Sequence, residues 1–250
     1  MSISIKSKSE IEIMKKAGRI VAKTHSLLKK TVKPGISTFE LNKVAEDYIK
    51  SQNATPSFKG YMGYPASICT SVNNEVVHGI PSKDRILNEG DIISIDIGAY
   101  YNGYHGDAAR TLAVGQISEE AQKLIQVTKD SFYKGIEYAK EGCHLFEISA
   151  AIQEYVETYG YSIVRDLVGH GIGRELHEEP QIPNFKQKRR GPKLQKGMVL
   201  AIEPMVNIGR LEVRWLNDNW TVVTIDESLS AHYENTILIT DKDPELLTVF

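Results

Sequence analysis

Three acidic residues, Asp96, Glu203 and Glu234, occupy apolar strand patterns, where a carboxylate is costly, and together with Asp107 they define the chemistry open to this chain. In Asp91–Arg110, DIISIDIGAYYNGYHGDAAR, Ile93, Ile95 and Ile97 alternate with Ile92, Ser94 and Asp96, the period-2 pattern of a strand with one buried face. Asn102-Gly103 is a strong hairpin signal, because the turn needs positive φ at both central positions. A hairpin centred there sets Gly98 opposite Asp107 and Asp96 opposite Ala109. Asp96 and Asp107 then share a face as diagonal neighbours, roughly 7–8 Å apart at Cα, a spacing that holds a pair of cations about 3.5–4 Å apart. In Met198–Glu203 the apolar residues again alternate, and Glu203 ends the strand before Pro204 stops the ladder. In AHYENTILIT (231–240), Glu234 sits inside a strand pattern and shares a face with Thr236 and Leu238. An Asp near a strand end is ordinarily a solvated turn residue, and a single buried acid is often bridged to Lys or Arg. Four in this setting favour bound cations.

Two histidines join the acids. VGHGIGRELHEEP (168–180) sets His170 among Gly169, Gly171 and Gly173, with His177 seven residues on. The glycines leave little bulk to bury His170 as a core residue and allow close backbone approach. An oxygen-rich set with one imidazole suits Mn²⁺, Fe²⁺, Co²⁺ or Zn²⁺ rather than a thiolate zinc site. A pair of such ions lowers the pKa of a shared water and yields a nucleophile at neutral pH. The chemistry is hydrolysis of an amide or a phosphoester, between which spacing does not choose.

The elements that position these residues form an α+β chain. Ser9 to Glu12 reads as a capping box opening a first helix, with Ile13, Met14, Ala17, Ile20, Val21, Leu27 and Leu28 on its apolar stripe and Lys33-Pro34-Gly35 closing it. Ser37 to Glu40 reads as a second box, for a helix to about Gln52. Short strands and turns are expected over 56–82, then the Asp96 hairpin with pairing to Val114. A third helix is expected from Ser118 to about Lys140 and a fourth over Leu145–Tyr159. From Tyr161 onward the pattern is mostly strand, with a polar loop at 183–196. KPGISTFELNKVAEDYI (33–49) matches KEGCHLFEISAAIQEYV (140–156) at Lys, Gly, Phe, Glu and Tyr, an offset of 107, where chance gives roughly one match. The same offset aligns EGDIISID with KGMVLAIE, so Asp96 falls on Glu203. His78-Gly79-Ile80 echoes His170-Gly171-Ile172 at an offset of 92. The chain therefore reads as one domain, 1–250, containing a duplicated unit, roughly 9–114 and 118–240. A pseudo-two-fold pairing of its halves brings Asp96 and Glu203 to one junction, where concave sites form readily.

Bulk properties narrow the classes. A net charge of −2 over 250 residues argues against a dedicated DNA or RNA binder. The N-terminus, MSISIKSKSEIEIMKK, has no apolar core of the signal-peptide kind, and no apolar run approaches a membrane span. Cys69 and Cys143 make no disulfide framework or CxxC motif, which suits a reducing cytoplasm.

SVNNEVVHGIP, DIISIDIG, GYHGDAART, VGHGIGRELHEEP, GMVLAIEPMV and NWTVVT…AHYENTI together resemble the type I, bacterial-type methionine aminopeptidases of the pita-bread fold. The match runs from the first helix to Thr240. It implies two pseudo-symmetric α+β halves forming a curved antiparallel sheet with helices on the outer face. By resemblance, Asp96, Asp107, His170, Glu203 and Glu234 are ligands of two divalent ions (Co²⁺, Mn²⁺, Fe²⁺ or Zn²⁺), and Glu203 is also the general base for the bridging water. His177 contacts the scissile carbonyl and steadies its tetrahedral intermediate, and His78 binds substrate near its second residue. Tyr61, Tyr64, Cys69 and Trp220 line the pocket for the methionine side chain, and read without the family they are ordinary core. The reaction implied is removal of the initiator methionine from nascent chains whose second residue is small, by a monomer.

Three positions depart from the family pattern. Phe58 and Leu176 stand where some relatives have Cys and Phe, which changes pocket shape but not its apolar character. Asn235 stands where Glu-His-Thr is common. By period 2 it points away from the face of Glu234, so the ligand set survives with altered support. The chain lacks the N-terminal extension of longer family members and the large insertion that marks type II enzymes. Lys186–Arg190, KQKRR, is a basic run in a loop, open to ribosomal contact. Xaa-Pro aminopeptidases and prolidases share the five ligands but usually carry a further N-terminal domain, and NWTVVT and SVNNEVVHGIP suit them poorly. A pita-bread protein that serves only as a binding module would have lost ligands, and all five are present.

Overall fold

A computed structural model describes residues 3–249. Its four helices are α1 (Lys8–Thr31), α2 (Thr38–Ser51), α3 (Glu119–Ile136) and α4 (Leu145–Glu157). The first cap differs from expectation. Ser7, not Ser9, accepts from the Glu10 N–H, and Glu10 returns the bond to the Ser7 N–H at 2.8 Å. The same Ser-x-x-Glu spacing occurs two residues earlier, which leaves Glu12 in solvent. Ser37 and Glu40 form the second box as expected. Helix α3 starts after its Ser118 cap but stops at Ile136, four residues before Lys140, in a turn through Glu137. Helix α4 ends two residues early.

In chain order the strands are β1 (Thr55–Pro56), β2 (Cys69–Val72), β3 (Glu75–Val77), β4 (Ile92–Tyr101), β5 (Tyr104–Ala113), β6 (Ser162–Ile163), β7 (Gly169–Gly171), β8 (Glu178–Ile182), β9 (Val199–Ile202), β10 (Met205–Asn207), β11 (Val213–Trp215), β12 (Val222–Thr224), β13 (Ser230–His232), β14 (Asn235–Leu238) and β15 (Glu245–Leu246). All their pairings are antiparallel. The first sheet has β4 between β5 on one side and β1 and β2 on the other, and a five-stranded sheet runs β15-β14-β9-β7-β8. Two three-stranded sheets, β13-β10-β6 and β11-β12-β3, flank them. The β4–β5 register is the expected one, Gly98 facing Asp107 and Asp96 facing Ala109. Asn102 and Gly103 both take positive φ, 48° and 91°.

Core positions recur at an offset of 107 residues. Leu41, Ala45 and Ile49 of α2 pack on Ile93 and Ile95 of β4. At positions 107 higher, Ile148, Ile152 and Val156 of α4 pack with Leu200 and Ile202 of β9. Backbone bonds recur at the same spacing. Gly35 N donates to Leu87 O and Gly142 N to Leu194 O; Thr38 N donates to Arg85 O and Leu145 N to Pro192 O. Among the described residues no helix is long and apolar enough to cross a membrane.

Where the halves meet, β5 runs antiparallel to residues 232–236 and is stitched to them by threonines. Thr236 Oγ1 accepts from the Asp107 N–H (3.0 Å) and donates to the Asp107 carbonyl (2.8 Å). Thr111 Oγ1 does the same with the N–H and C=O of His232, both at 2.9 Å. Between them the Glu234 N–H donates to the Ala109 carbonyl at 3.0 Å. Each hydroxyl satisfies two backbone groups that have no ladder partner there, and unsatisfied buried groups are costly. Thr236→Val, which keeps shape and removes the hydroxyl, is expected to lower stability by about 1–3 kcal/mol. The urea midpoint checks this, with Thr236→Ser close to the parent.

Candidate metal centre and active site

The sheet registers carry the acids to one place in two adjacent rows. One row reads Cys69, Asp96, Ala109, Glu234 across β2, β4, β5 and the residue just before β14. The next reads Gly98, Asp107, Thr236, Ala201, His170 across β4, β5, β14, β9 and β7. Glu203 lies one residue past β9. Glu234 is not inside a strand as its pattern suggests. The 231–240 stretch breaks into β13 and β14 around Tyr233-Glu234, where the Tyr233 N–H turns to the Pro204 carbonyl. That break frees Glu234 to face the junction.

Ligating atoms of Asp107, His170 and Glu234 lie within 4.8 Å of one another. Glu203 Oε1 is 3.6 Å from His170 Nε2, and its Oε2 is 3.8 Å from His232 Nε2. Asp96 Oδ1, Asp107 Oδ1 and Glu234 Oε1 are sealed from solvent without a hydrogen-bond partner. Burial pushes the Asp96 carboxyl up to about 7 and raises Asp107, Glu203 and Glu234 well above the carboxylate range, the neighbouring acids adding to each of the last three. Four carboxylates cannot share such a space ionised unless cations neutralise them. The imidazole is prepared in the matching sense. His170 Nδ1 lies 2.9 Å from the Gly171 carbonyl, which only accepts, so Nδ1 carries the proton. Burial lowers the ring to about 3, leaving it neutral with a lone pair on Nε2, the state a metal ligand needs. Orphaned oxygens, a prepared imidazole and a hard donor set therefore fit a divalent cation.

The acids floor a cavity of about 320 Å³. Its walls carry all the expected pocket residues, Tyr61, Tyr64, Cys69 and Trp220, together with His78 and His177. The Tyr64 hydroxyl donates toward Ile68 O and Gly79 O, and its ring meets Trp220 edge-on at 5.0 Å. Burial pushes the Cys69 thiol up, so it stays neutral and acts as apolar wall. Phe58 and Leu176, the departures from the family pattern, also line the space. His177 Nδ1 is 2.8 Å from the Tyr61 hydroxyl, and its ring stands edge-on to His170 at 4.3 Å. His78 takes φ 59°, a strained conformation for a residue with a side chain. Burial lowers it to about 4, with His177 adding.

Sequence reasoning passes over Met205 and Leu167, which also line the cavity. Met205 directly follows the Glu203-Pro204 pair, a signal present but unused. Arg110 is missed as well. It is half-buried, its guanidinium 4.5 Å from the centroid of the Tyr233 ring. Its Nη1 donates to the Ala109 carbonyl at 2.7 Å and also to the Glu234 carbonyl, and its Nη2 donates to Asn235 Oδ1 at 2.6 Å. Asn235 points away from the centre as expected, and its Oδ1 also accepts from the Thr248 hydroxyl at 2.9 Å. Arg110 thus fixes the backbone on both sides of Glu234.

A model of metallopeptidase family M24 matches residues 12–241. The chain belongs to that family. A methionine aminopeptidase of Clostridium acetobutylicum is 62% identical over 247 residues, 99% of each chain. The crystal structure of a methionine aminopeptidase from Thermotoga maritima superposes with a TM-score of 0.98 at 47% identity, covering 100% of both chains. A prolidase from Pyrococcus furiosus reaches 0.77 at 28% identity, and covers 98% of this chain but 65% of that one. The architecture is the M24 pita-bread fold, and the buried acids with His170 fit a divalent-metal site of a metallopeptidase.

Two outcomes follow for the protein stripped of metal. The unfolded Asp96 titrates near 3.8 and the folded one near 7. Between those values the folded state keeps a proton that the unfolded state has released, so stability falls as pH rises from about 4 to about 7. Melting temperatures across this range check the slope, which saturating Mn²⁺ is expected to flatten or reverse. Arg110→Gln is expected to weaken Mn²⁺ binding about 10–100-fold, as lost support of a ligand does, read by titration calorimetry.

Proposed function

We propose that this chain is a metal-dependent methionyl aminopeptidase, removing the initiator methionine from nascent proteins and peptides with a small second residue. The observation that carries the reading is a cavity with carboxylates and His170 at its floor and an apolar wall of Phe58, Tyr61, Tyr64, Cys69, Leu176 and Trp220 beside them. One end suits an unbranched thioether side chain, the other a hydrolytic metal centre.

Asp96, Asp107, His170, Glu203 and Glu234 would hold two divalent ions, drawn from Co²⁺, Mn²⁺, Fe²⁺ and Zn²⁺. When bound, such ions supply Lewis acidity toward the scissile carbonyl and lower the pKa of water. Glu203, a carboxyl whose proton affinity is raised by burial and by Asp96 and Asp107, accepts a proton as general base and returns it to the leaving amine. His177 stands ready as a donor. A Tyr61 hydroxyl that donates to Nδ1, 2.8 Å away, would leave the proton of the neutral ring on Nε2, where oxyanion charge needs it. His78, held at the wall near Trp220 with ring centroids 6.4 Å apart, contacts substrate near its second residue. The 107-residue recurrence of core positions and backbone bonds supports reading 9–114 and 118–240 as two copies of one unit within a single domain. The partners are nascent chain ends met by a cytoplasmic monomer. Among Lys186–Arg190, Lys186 and Arg190 already face Glu154 and Glu147 at 3.4 and 2.5 Å, which leaves Lys188 and Arg189 as the exposed charges for a ribosomal contact.

The rival is an Xaa-Pro enzyme of the same fold, and a binding role without catalysis is the second. Release of free amino acid from Met-Ala-Ser and Ala-Pro-Ala separates them. Cleavage of the methionyl peptide alone is expected, lost on chelation and restored by Mn²⁺ or Co²⁺, with Glu203→Gln slower by about 10²–10⁴-fold. Cleavage of Ala-Pro-Ala instead would move the chain to the prolidases, and no cleavage with metal bound would favour a binding role.

A further inference from the structure

One enclosed ion pair takes no part in the reaction above. Lys6 and Glu178 are 172 residues apart, yet Lys6 Nζ lies 2.5 Å from Glu178 Oε2, and their side chains are only 4% and 16% exposed. Lys6 is fixed at both ends. Its N–H donates to the Gly197 carbonyl at 2.8 Å, and its Nζ also reaches Ser4 Oγ at 2.7 Å. The other carboxylate oxygen of Glu178 faces back along its own loop, accepting from the Arg174 N–H at 2.8 Å and more weakly from the Glu175 N–H at 3.4 Å. Glu178 therefore closes the turn 174–178, and the residue inside that turn whose ring stands in the cavity is His177.

The contact with the loop is direct. A Cβ on Gly173 would lie 2.4 Å from Lys6 Cε and 2.5 Å from Glu178 Oε1, so the backbone at 173 rests against the pair. A second tether holds the same segment from the other side. The His105 N–H donates to the Gly173 carbonyl at 2.8 Å, and Arg174 covers the Tyr104 ring at 4.8 Å while pairing with Glu10 at 3.2 Å. Glu10 is on α1 and half-buried, whereas Arg174 is exposed. Among the described residues, Lys6 is the enclosed cation set against this turn.

We propose that Lys6 is a positioning residue for His177, acting through the Glu178 carboxylate. This rests on the aminopeptidase reading. With the ammonium present, Glu178 is anchored and its free oxygen holds two amides of the turn. Without it, an enclosed carboxylate is left short of donors and turns toward water. The amides are released and the imidazole loses its fixed bearing on the scissile carbonyl. Displacement of a catalytic group by about 1 Å costs on the order of a hundredfold in rate.

The test is a double-mutant cycle in kcat/KM on Met-Ala-Ser, with the metal-loaded full chain. Lys6→Met is expected to cost about a hundredfold alone and less than about threefold in the His177→Ala background, since interacting positions fail to add. Equal losses in both backgrounds would overturn the proposal, because Lys6 would then act on the fold or on another group. If Lys6→Met does not fold, Lys6→Gln, which keeps a polar head but removes the ammonium from Glu178, enters the same cycle with the same criterion. If the parent chain cleaves no methionyl peptide, the aminopeptidase reading fails by itself. Amide exchange then decides the positioning role: faster exchange at Arg174 and Glu175 with β9 unchanged supports it, and unchanged exchange at both overturns it.

Discussion

Mutual repulsion among enclosed carboxylates is the constraint on which the rest of this structure depends. Asp96, Asp107, Glu203 and Glu234 face one another at the floor of a cavity. Burial alone raises all of them, and the neighbouring acids add to three. Among the described residues no Lys or Arg side chain pairs with them. The nearest guanidinium, Arg110, spends its donors on backbone carbonyls and Asn235. A fold intended only to be stable would place a lysine here or replace the acids with apolar residues. Leaving Asp96 Oδ1, Asp107 Oδ1 and Glu234 Oε1 without partners makes sense when cations supply what the protein withholds. The scaffold must therefore be stable enough elsewhere to hold the acids in register, and the two apolar cores behind β4 and β9 provide that.

How two strands from each half come to aim acids at one point follows from the junction. Within a half, a regular ladder fixes which side chains share a face, as between Asp96 and Ala109. Between halves the ladder is sparse, and the Thr111 and Thr236 hydroxyls replace the missing backbone partners. The consequence is a sheet continuous in register but not in backbone bonding, with space for acids where a tight ladder would bring side chains too close. Core positions and backbone bonds recur 107 residues apart, and Asp96 and Glu203, at that same offset, lie near enough for Asp96 to raise the Glu203 carboxyl. Asp107, Glu234 and His170 gather their ligating atoms within 4.8 Å of one another beside them.

Much of this is legible in the chain itself, for reasons that differ by residue. The hairpin register is readable because Asn102-Gly103 admits one tight turn and a period of two does the rest. The equivalence of Asp96 and Glu203 is readable because a shared offset links helices to strands. Ser7 is misread as Ser9 because two Ser residues precede two Glu residues at overlapping spacings, and only packing decides which pair caps. The break between β13 and β14 is hidden for a different reason. Tyr233 and Glu234 continue an apolar alternation in sequence, but their N–H groups turn to Pro204 and Ala109, partners that exist only after the halves dock. Arg110 is hidden in the same way, since its roles depend on Glu234, Asn235 and Tyr233, all more than 120 positions away. Pocket aromatics such as Tyr61 and Trp220 carry no local signal that separates wall from core, and the family resemblance is what separates them.

The histidines complete the electrostatic logic. His78, His170, His177 and His232 all border the same floor, and burial lowers each of them. One physical cause thus acts in opposite directions on the two residue types: desolvation keeps the acids protonated and the imidazoles unprotonated. Without a cation, burial favours the protonated form of the acids and the neutral form of the imidazoles. A divalent ion displaces protons from carboxyls only, because the imidazoles have none to lose at Nε2 in the case of His170. Charge therefore accumulates on the acids in proportion to the cations that balance it, while the surrounding rings stay neutral. A protonated ring would repel the same ions, so keeping the imidazoles neutral matters as much to metal binding as keeping the carboxylates close.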